Sequence, residues 1–148
     1  MSGFVVKFKK LSPLAKTPVY SSLSAAGADL YAATEASVEI SAGKTVMIKT
    51  GLSVEIPSGY VGLIFARSGL ACKRGVAPAN KVGVIDSDYR GEIIVALHNH
   101  TCETQTIDAG ERIAQMAFVP YMAATFEETE ELSDTERGVG GFGSTGRK

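Results

Sequence analysis

Short runs of β-branched and aromatic residues, each soon broken by glycine, proline, aspartate or serine, recur along most of this chain and leave little room for helix. FVVKFK at 4–9, SVEI at 37–40, TVMIKTGLSVEIP at 45–57, YVGLIFA at 60–66, EIIVALH at 92–98 and IAQMAFVPY at 113–121 predict strands. Pro57-Ser58-Gly59 marks a turn between two of them. SGLACKRG at 68–75 is the exception, a two-turn helix with Ser68 placed to cap it and Gly75 to end it. Many short strands in 148 residues predict one all-β domain, a sandwich or barrel around a single core. The run EIIVALH is apolar enough to be covered on both faces.

A formal net charge of −1 provides no general basic field, so no nucleic-acid partner is expected and any anion site must be local. No apolar run of membrane-spanning length and no leader at Met1 is seen, which predicts a soluble protein of the cytoplasm, or of the nucleus in a eukaryote. Cys72 and Cys102 lack metal-type spacing and are too few for a disulfide scaffold, so both are expected as reduced thiols. His98 and His100 fall on one face of a strand, with no third metal ligand apparent.

After Glu127 the composition shifts. EETEELSDTE at 127–136 is strongly acidic and leads into RGVGGFGSTGRK, in which five glycines crowd the last twelve residues. The expected organisation is a β domain over 1–132 and a mobile glycine-rich arm over 133–148. GFGSTG at 141–146 fits G-x-G-x-x-G, and GFGSTGRK nearly fits a phosphate loop. Both require a following helix, which a chain stopping at Lys148 cannot supply. The local chemistry survives that objection, because glycine-freed amides, two hydroxyls and Arg137 can surround a polyphosphate while Phe142 stacks on a base.

Four internal segments carry further candidates. ANKVGVIDSDYRGEI at 79–93 predicts a hairpin with Asp86 and Tyr89 at its mouth, where a carboxylate can polarise water and a ring can cover a sugar. The same residues are ordinary turn formers. ARSGLA at 66–71 puts Arg67 and Ser68 where a strand gives way to a helix, a place suited to phosphate or simply a helix cap. GERIAQMAF at 110–118 sets Gln115 in an otherwise apolar strand, and AAGADLYA at 25–32 sets Asp29 among small and apolar residues.

Taken in order, AGADL, ARSGLA, GVIDSDYRGE, GERIAQ and RGVGGFGSTG resemble the five ordered motifs of the trimeric dUTPases, over residues 26 to 146. The resemblance implies a distorted jelly-roll fold with one short helix and a flexible C-terminal arm. It further implies a homotrimer with sites shared between subunits, and Mg²⁺-dependent hydrolysis of dUTP to dUMP and pyrophosphate. That reaction keeps uracil out of DNA and supplies dUMP for thymidylate synthesis. On the same resemblance Asp86 activates the water that attacks the α-phosphorus, and Tyr89 packs under the deoxyribose to exclude a 2′-hydroxyl. The backbone from Asn80 through Gly83 to Val84 pairs with uracil. Arg67, Ser68, Gly69 and Gln115 contact phosphate, and Asp29 positions the magnesium through its water shell. Arg137 reaches the γ-phosphate, Phe142 stacks over the base, and Gly143, Ser144 and Thr145 enclose the phosphate chain. Ala28 and Ala66 depart from the family, standing where many members have tyrosine and proline.

Three rival readings remain at the level of sequence. The deoxycytidine triphosphate deaminases share the fold, but the pair Asp86 and Tyr89 favours the hydrolase. A nucleotide-binding regulator without turnover, or a structural oligomer, is disfavoured by the presence of Asp86 and the arm together.

Overall fold

The structure, a computed structural model, describes residues 4–141. Among these residues there are twelve strands and one helix: β1 Lys7–Lys10, β2 Val19–Tyr20, β3 Ala28–Tyr31, β4 Val38–Ile40, β5 Thr45–Lys49, β6 Leu52–Glu55, β7 Tyr60–Phe65, α1 Ser68–Arg74, β8 Val76–Pro78, β9 Gly83–Ile85, β10 Ile94–Asn99, β11 Gln105–Ile107 and β12 Arg112–Pro120. The largest sheet runs β2-β3-β12-β7-β9, a second runs β5-β10-β8, and β1-β6 and β11-β4 form two-stranded ladders. Every pairing is antiparallel. Strands that pair with distant rather than successive neighbours make this a distorted jelly roll.

The core lies between the sheets. Leu30, Ile40, Ile48, Leu52, Val76, Ile93, Leu97, Ile107 and Ile113 are almost wholly enclosed, so strands from all parts of the chain contribute to one cluster. Asn99 is buried among them with its amide satisfied: Nδ2 donates to the Ile40 and Glu103 carbonyls at 2.8 and 2.7 Å, and Oδ1 accepts from the Thr101 amide and hydroxyl. No helix among the described residues is long and apolar enough to cross a membrane.

Several sequence expectations are corrected here. The run 45–57 is two strands, because Gly51 takes φ +66° and turns the chain between β5 and β6. Residues 4–6 lie outside β1; Phe4 instead stacks on Tyr60 with ring centroids 4.3 Å apart. Ser68 does not cap the helix. Arg67 occupies the extended N-cap position without a side-chain cap bond, while Gly75 ends the helix in the left-handed conformation as expected. Segment 79–93 is not a hairpin, since β9 pairs with β7 and the following β10 pairs with β5 and β8. Within the single chain, Val95, Leu97 and Asn99 of β10 point inward, while Ile94, with its neighbour Met47 of β5, remains exposed.

β12 ends at Pro120, and every residue from Tyr121 to Val139 is exposed. Among them Met122, Phe126 and Leu132 hold large apolar side chains in solvent.

Candidate functional site

Asp29, Gln115 and Phe65 stand in one row across β3, β12 and β7, so their side chains share one face of the sheet. Asp29 is buried, and its two oxygens are divided between two guanidinium groups: Oδ1 accepts from Arg67 Nε at 2.8 Å and Oδ2 from Arg112 Nη1 at 3.2 Å. A β-bulge explains the second contact. In a regular strand residues 112 and 115 point to opposite faces, but the irregularity between Arg112 and Ala114 sets Arg112 opposite Tyr31, on the face of Asp29. One carboxylate thus fixes two arginines whose outer edges remain accessible, as an anion site requires.

Gln115 and the start of α1 complete this group. Gln115 Nε2 donates to the Ala66 carbonyl at 3.2 Å, tying β12 to the loop that delivers Arg67. Gly27 makes room for it, since a Cβ there would lie 3.0 Å from Gln115 Oε1. Ser68 and Gly69 are exposed in the first helical turn, where backbone amides lack intrahelical acceptors. At its other end, α1 is anchored by Arg74, whose Nη1 donates to Glu111 Oε1 at 2.6 Å in the turn before β12.

A second group forms around a cleft of about 350 Å³ lined by Met47, Val84, Ile85, Asp86, Tyr89, Glu92 and Ile94. Asp86 follows directly on β9 and is exposed; among the described residues its carboxylate has no hydrogen-bond donor, so it is available to a water molecule. The Asp86 carbonyl accepts from the Tyr89 amide at 3.2 Å, closing a tight turn, and the Tyr89 hydroxyl donates to the Glu92 carbonyl at 3.0 Å. Just upstream, Lys81 takes φ 65° in the turn between β8 and β9. Gly83 is buried against Ile64 with the Asn80 amide beside it, and Val84 is largely exposed.

The two groups lie apart. Ile85 is opposite Gly62 near the start of β7, whereas Arg67 lies beyond Phe65 at the other end of that strand, so Asp86 and Arg67 leave the β7-β9 pair toward opposite ends. Arg137 is in neither group; its Nε donates to the Gly140 carbonyl at 2.8 Å within its own turn. Phe142, Gly143, Ser144 and Thr145 lie outside the described residues.

Sequence reasoning missed Arg112, although it falls within the quoted GERIAQ, because a bulge has no signature there. It also missed Met47, Glu92 and Ile94, which reach the Asp86 cleft only through the β5-β10 pairing. No group of three or more metal-ligating side chains occurs among the described residues. Each Asp29 oxygen nevertheless keeps a free lone pair beside its arginine, which suits hydrogen bonding from a metal-bound water rather than direct ligation.

A dUTPase family profile matches residues 14–146. The deoxyuridine 5′-triphosphate nucleotidohydrolase of Desulfitobacterium hafniense is 52% identical over 132 residues, covering 88% of this chain and 87% of the relative. That of Nautilia profundicola is 51% identical over 142 residues, covering 96% and 99%. Among solved structures, a variant of the Staphylococcus bacteriophage 80alpha dUTPase with dUpNHpp superposes with a TM-score of 0.89 at 29% identity, covering 96% of this chain and 98% of the other. A phage phi11 dUTPase variant, described with a structural Mg(II) ion, gives 0.79 at 26% identity over 86% and 98%.

Proposed function

The chain belongs to the dUTPase family, and from that premise we propose that it cleaves dUTP at the α-phosphorus to dUMP and pyrophosphate, as a homotrimer with sites shared between subunits. The observation that carries this reading is the division of the candidate residues into two clusters: an arginine-rich anion group around Asp29, and a carboxylate-and-tyrosine cleft around Asp86. A triphosphate ester needs both. Their separation along β7 favours a site in which one subunit supplies Arg67 and another Asp86. The partly exposed face holding Met47 and Ile94, which borders the cleft, offers apolar surface for that contact.

In this mechanism the Asp86 carboxylate accepts a proton as water attacks the α-phosphorus. The bond from that phosphorus to the bridging oxygen breaks, and the electron pair leaves with pyrophosphate. Arg67, Gln115 and the amides at Ser68 and Gly69 hold the phosphate chain in line. Tyr89 lies against the deoxyribose, and the backbone of Asn80, Gly83 and Val84 reads uracil through groups that a wrong base leaves unpaired. Mg²⁺, when bound to the triphosphate, neutralises charge on its oxygens. Asp29 would hold that ion through coordinated water while keeping Arg67 and Arg112 oriented. The arm, with Arg137, Phe142, Gly143, Ser144 and Thr145, closes over the bound nucleotide and excludes water. The physiological outcome we assign is removal of dUTP from the DNA precursor pool and supply of dUMP for thymidylate synthesis.

The test is pyrophosphate release from dUTP, UTP, dTTP and dCTP in separate reactions with Mg²⁺. Release from dUTP alone is expected. Ammonia release from dCTP would assign the chain to the deaminase branch, and tight dUTP binding without pyrophosphate release would make it a binding module.

A further inference from the structure

Gly91 has no backbone reason to be glycine. It is exposed, and it is absent from the residues with positive φ, so no left-handed conformation reserves the position for glycine. At such a position alanine would ordinarily stabilise the fold by narrowing the unfolded ensemble. The obstacle is one side chain. A Cβ on Gly91 would collide with the Tyr89 hydroxyl and lie only 2.9 Å from ring carbon Cε2. The ring is folded back over Gly91, held by its hydroxyl to the Glu92 carbonyl at 3.0 Å and by the turn that its amide closes on Asp86 at 3.2 Å.

We propose that Gly91 is a positioning residue for sugar selection: its missing side chain is the seat on which the Tyr89 ring rests. The inference deepens the proposed function and rests on it. Ordinary contact between a Cβ and a ring carbon is near 3.4 Å or more, so alanine forces the ring to retreat by roughly an ångström or to leave its rotamer. Tyr89 lines the same cleft as Asp86, Val84 and Ile94, so the displacement is transmitted directly to the surface that a ribose must clear. A ring displaced from that seat no longer meets the sugar in the geometry that rejects a 2′-hydroxyl, so discrimination between deoxyribose and ribose falls.

The deciding experiment measures kcat/KM for dUTP and UTP with the full-length wild type, Gly91→Ala, Tyr89→Ala and the double variant. Gly91→Ala is expected to lower the dUTP-to-UTP ratio by about tenfold or more, while in the Tyr89→Ala background the same change alters the ratio by less than about twofold. An unchanged ratio in Gly91→Ala, or an equal fall in both backgrounds, overturns the inference. If Gly91→Ala does not fold, recovery of folding in the double variant supports the ring conflict and failure of both overturns it. A wild type that cleaves no dUTP overturns the functional reading itself, and this inference with it.

Discussion

Asp86 and Arg67 lie toward opposite ends of the paired strands β9 and β7, with Ile85 registered against Gly62 and Arg67 beyond the far end of β7. On the proposed arrangement one subunit supplies Arg67 to a site and another supplies Asp86. Asp86→Asn and Arg67→Ala should therefore be inactive alone yet complement each other. When the two are unfolded together and reassembled, a site taking Arg67 from one variant and Asp86 from the other is intact. Random assembly restores about a quarter of the sites. Pyrophosphate release from the mixture, compared with each variant treated separately, is the measurement; no recovery would return both residues to one chain's site.

Asp29 is the sole described acceptor for both Arg67 Nε and Arg112 Nη1. Asp29→Ala leaves two guanidinium groups facing each other without a counter-charge. The arginines are partly solvated, so the expected cost is about 1–3 kcal/mol rather than that of a fully buried pair. Denaturant titration gives that number. Steady-state kinetics should show a larger rise in KM for dUTP than the stability loss suggests, because both arginines lose their orientation.

What the sequence made legible follows from the range of the interactions involved. The strand-forming runs could be read because alternation is local: Val95 and Leu97 face inward whatever strand lies alongside. Gly75 was readable as a helix end because its left-handed conformation is a property of one residue. Partnering was not readable. That β9 would join β7 rather than β10 depends on register between segments twenty residues apart. The candidate residues were named from their motifs, but their division into two clusters, the bulge that turns Arg112 toward Asp29, and the closeness of Gly91 to the Tyr89 ring all arise only in three dimensions.

Two glycines of similar φ separate backbone strain from packing. Gly43, at φ +67°, has no atom within 4 Å of a built Cβ, so Gly43→Ala should cost about 1 kcal/mol from the left-handed conformation alone. Gly51, at φ +66°, is buried between β5 and β6, and a Cβ there would lie 2.8 Å from that of Ala15. Gly51→Ala should add a packing conflict and cost at least about 2–3 kcal/mol. Equal losses in urea unfolding would show that the Ala15 contact relaxes freely.

His100 gives the stability a direction in pH. Its imidazole is held below the usual histidine range, first by lost hydration, then by the positive charge of His98, whose ring is 4.4 Å away, and then by Lys81. The unfolded chain titrates near the ordinary value of about 6.5 and binds the proton more readily than the native state. Stability from this group is therefore full above that value and is lost as the pH falls through the depressed native value. Thermal unfolding followed from about pH 7.5 to pH 5 should fall less steeply for His100→Gln than for the wild type. A parallel decline would remove His100 from the account.

On the proposed function, the C-terminal segment should matter to catalysis and not to folding. Residues 121–139 are exposed, and the Arg137 bond to Gly140 is internal to its turn, so deleting 137–148 removes no described contact with the core. The truncated chain should unfold cooperatively within about a degree or two of the full-length protein. Its turnover of dUTP should fall by about a hundredfold or more if Arg137 and the segment after it contact the phosphates as proposed. Calorimetry and pyrophosphate release on the same preparation check both halves. Undiminished turnover would show that Arg67, Gln115 and Asp86 suffice without closure, whereas a large fall in stability would show that the arm holds the fold together rather than the substrate.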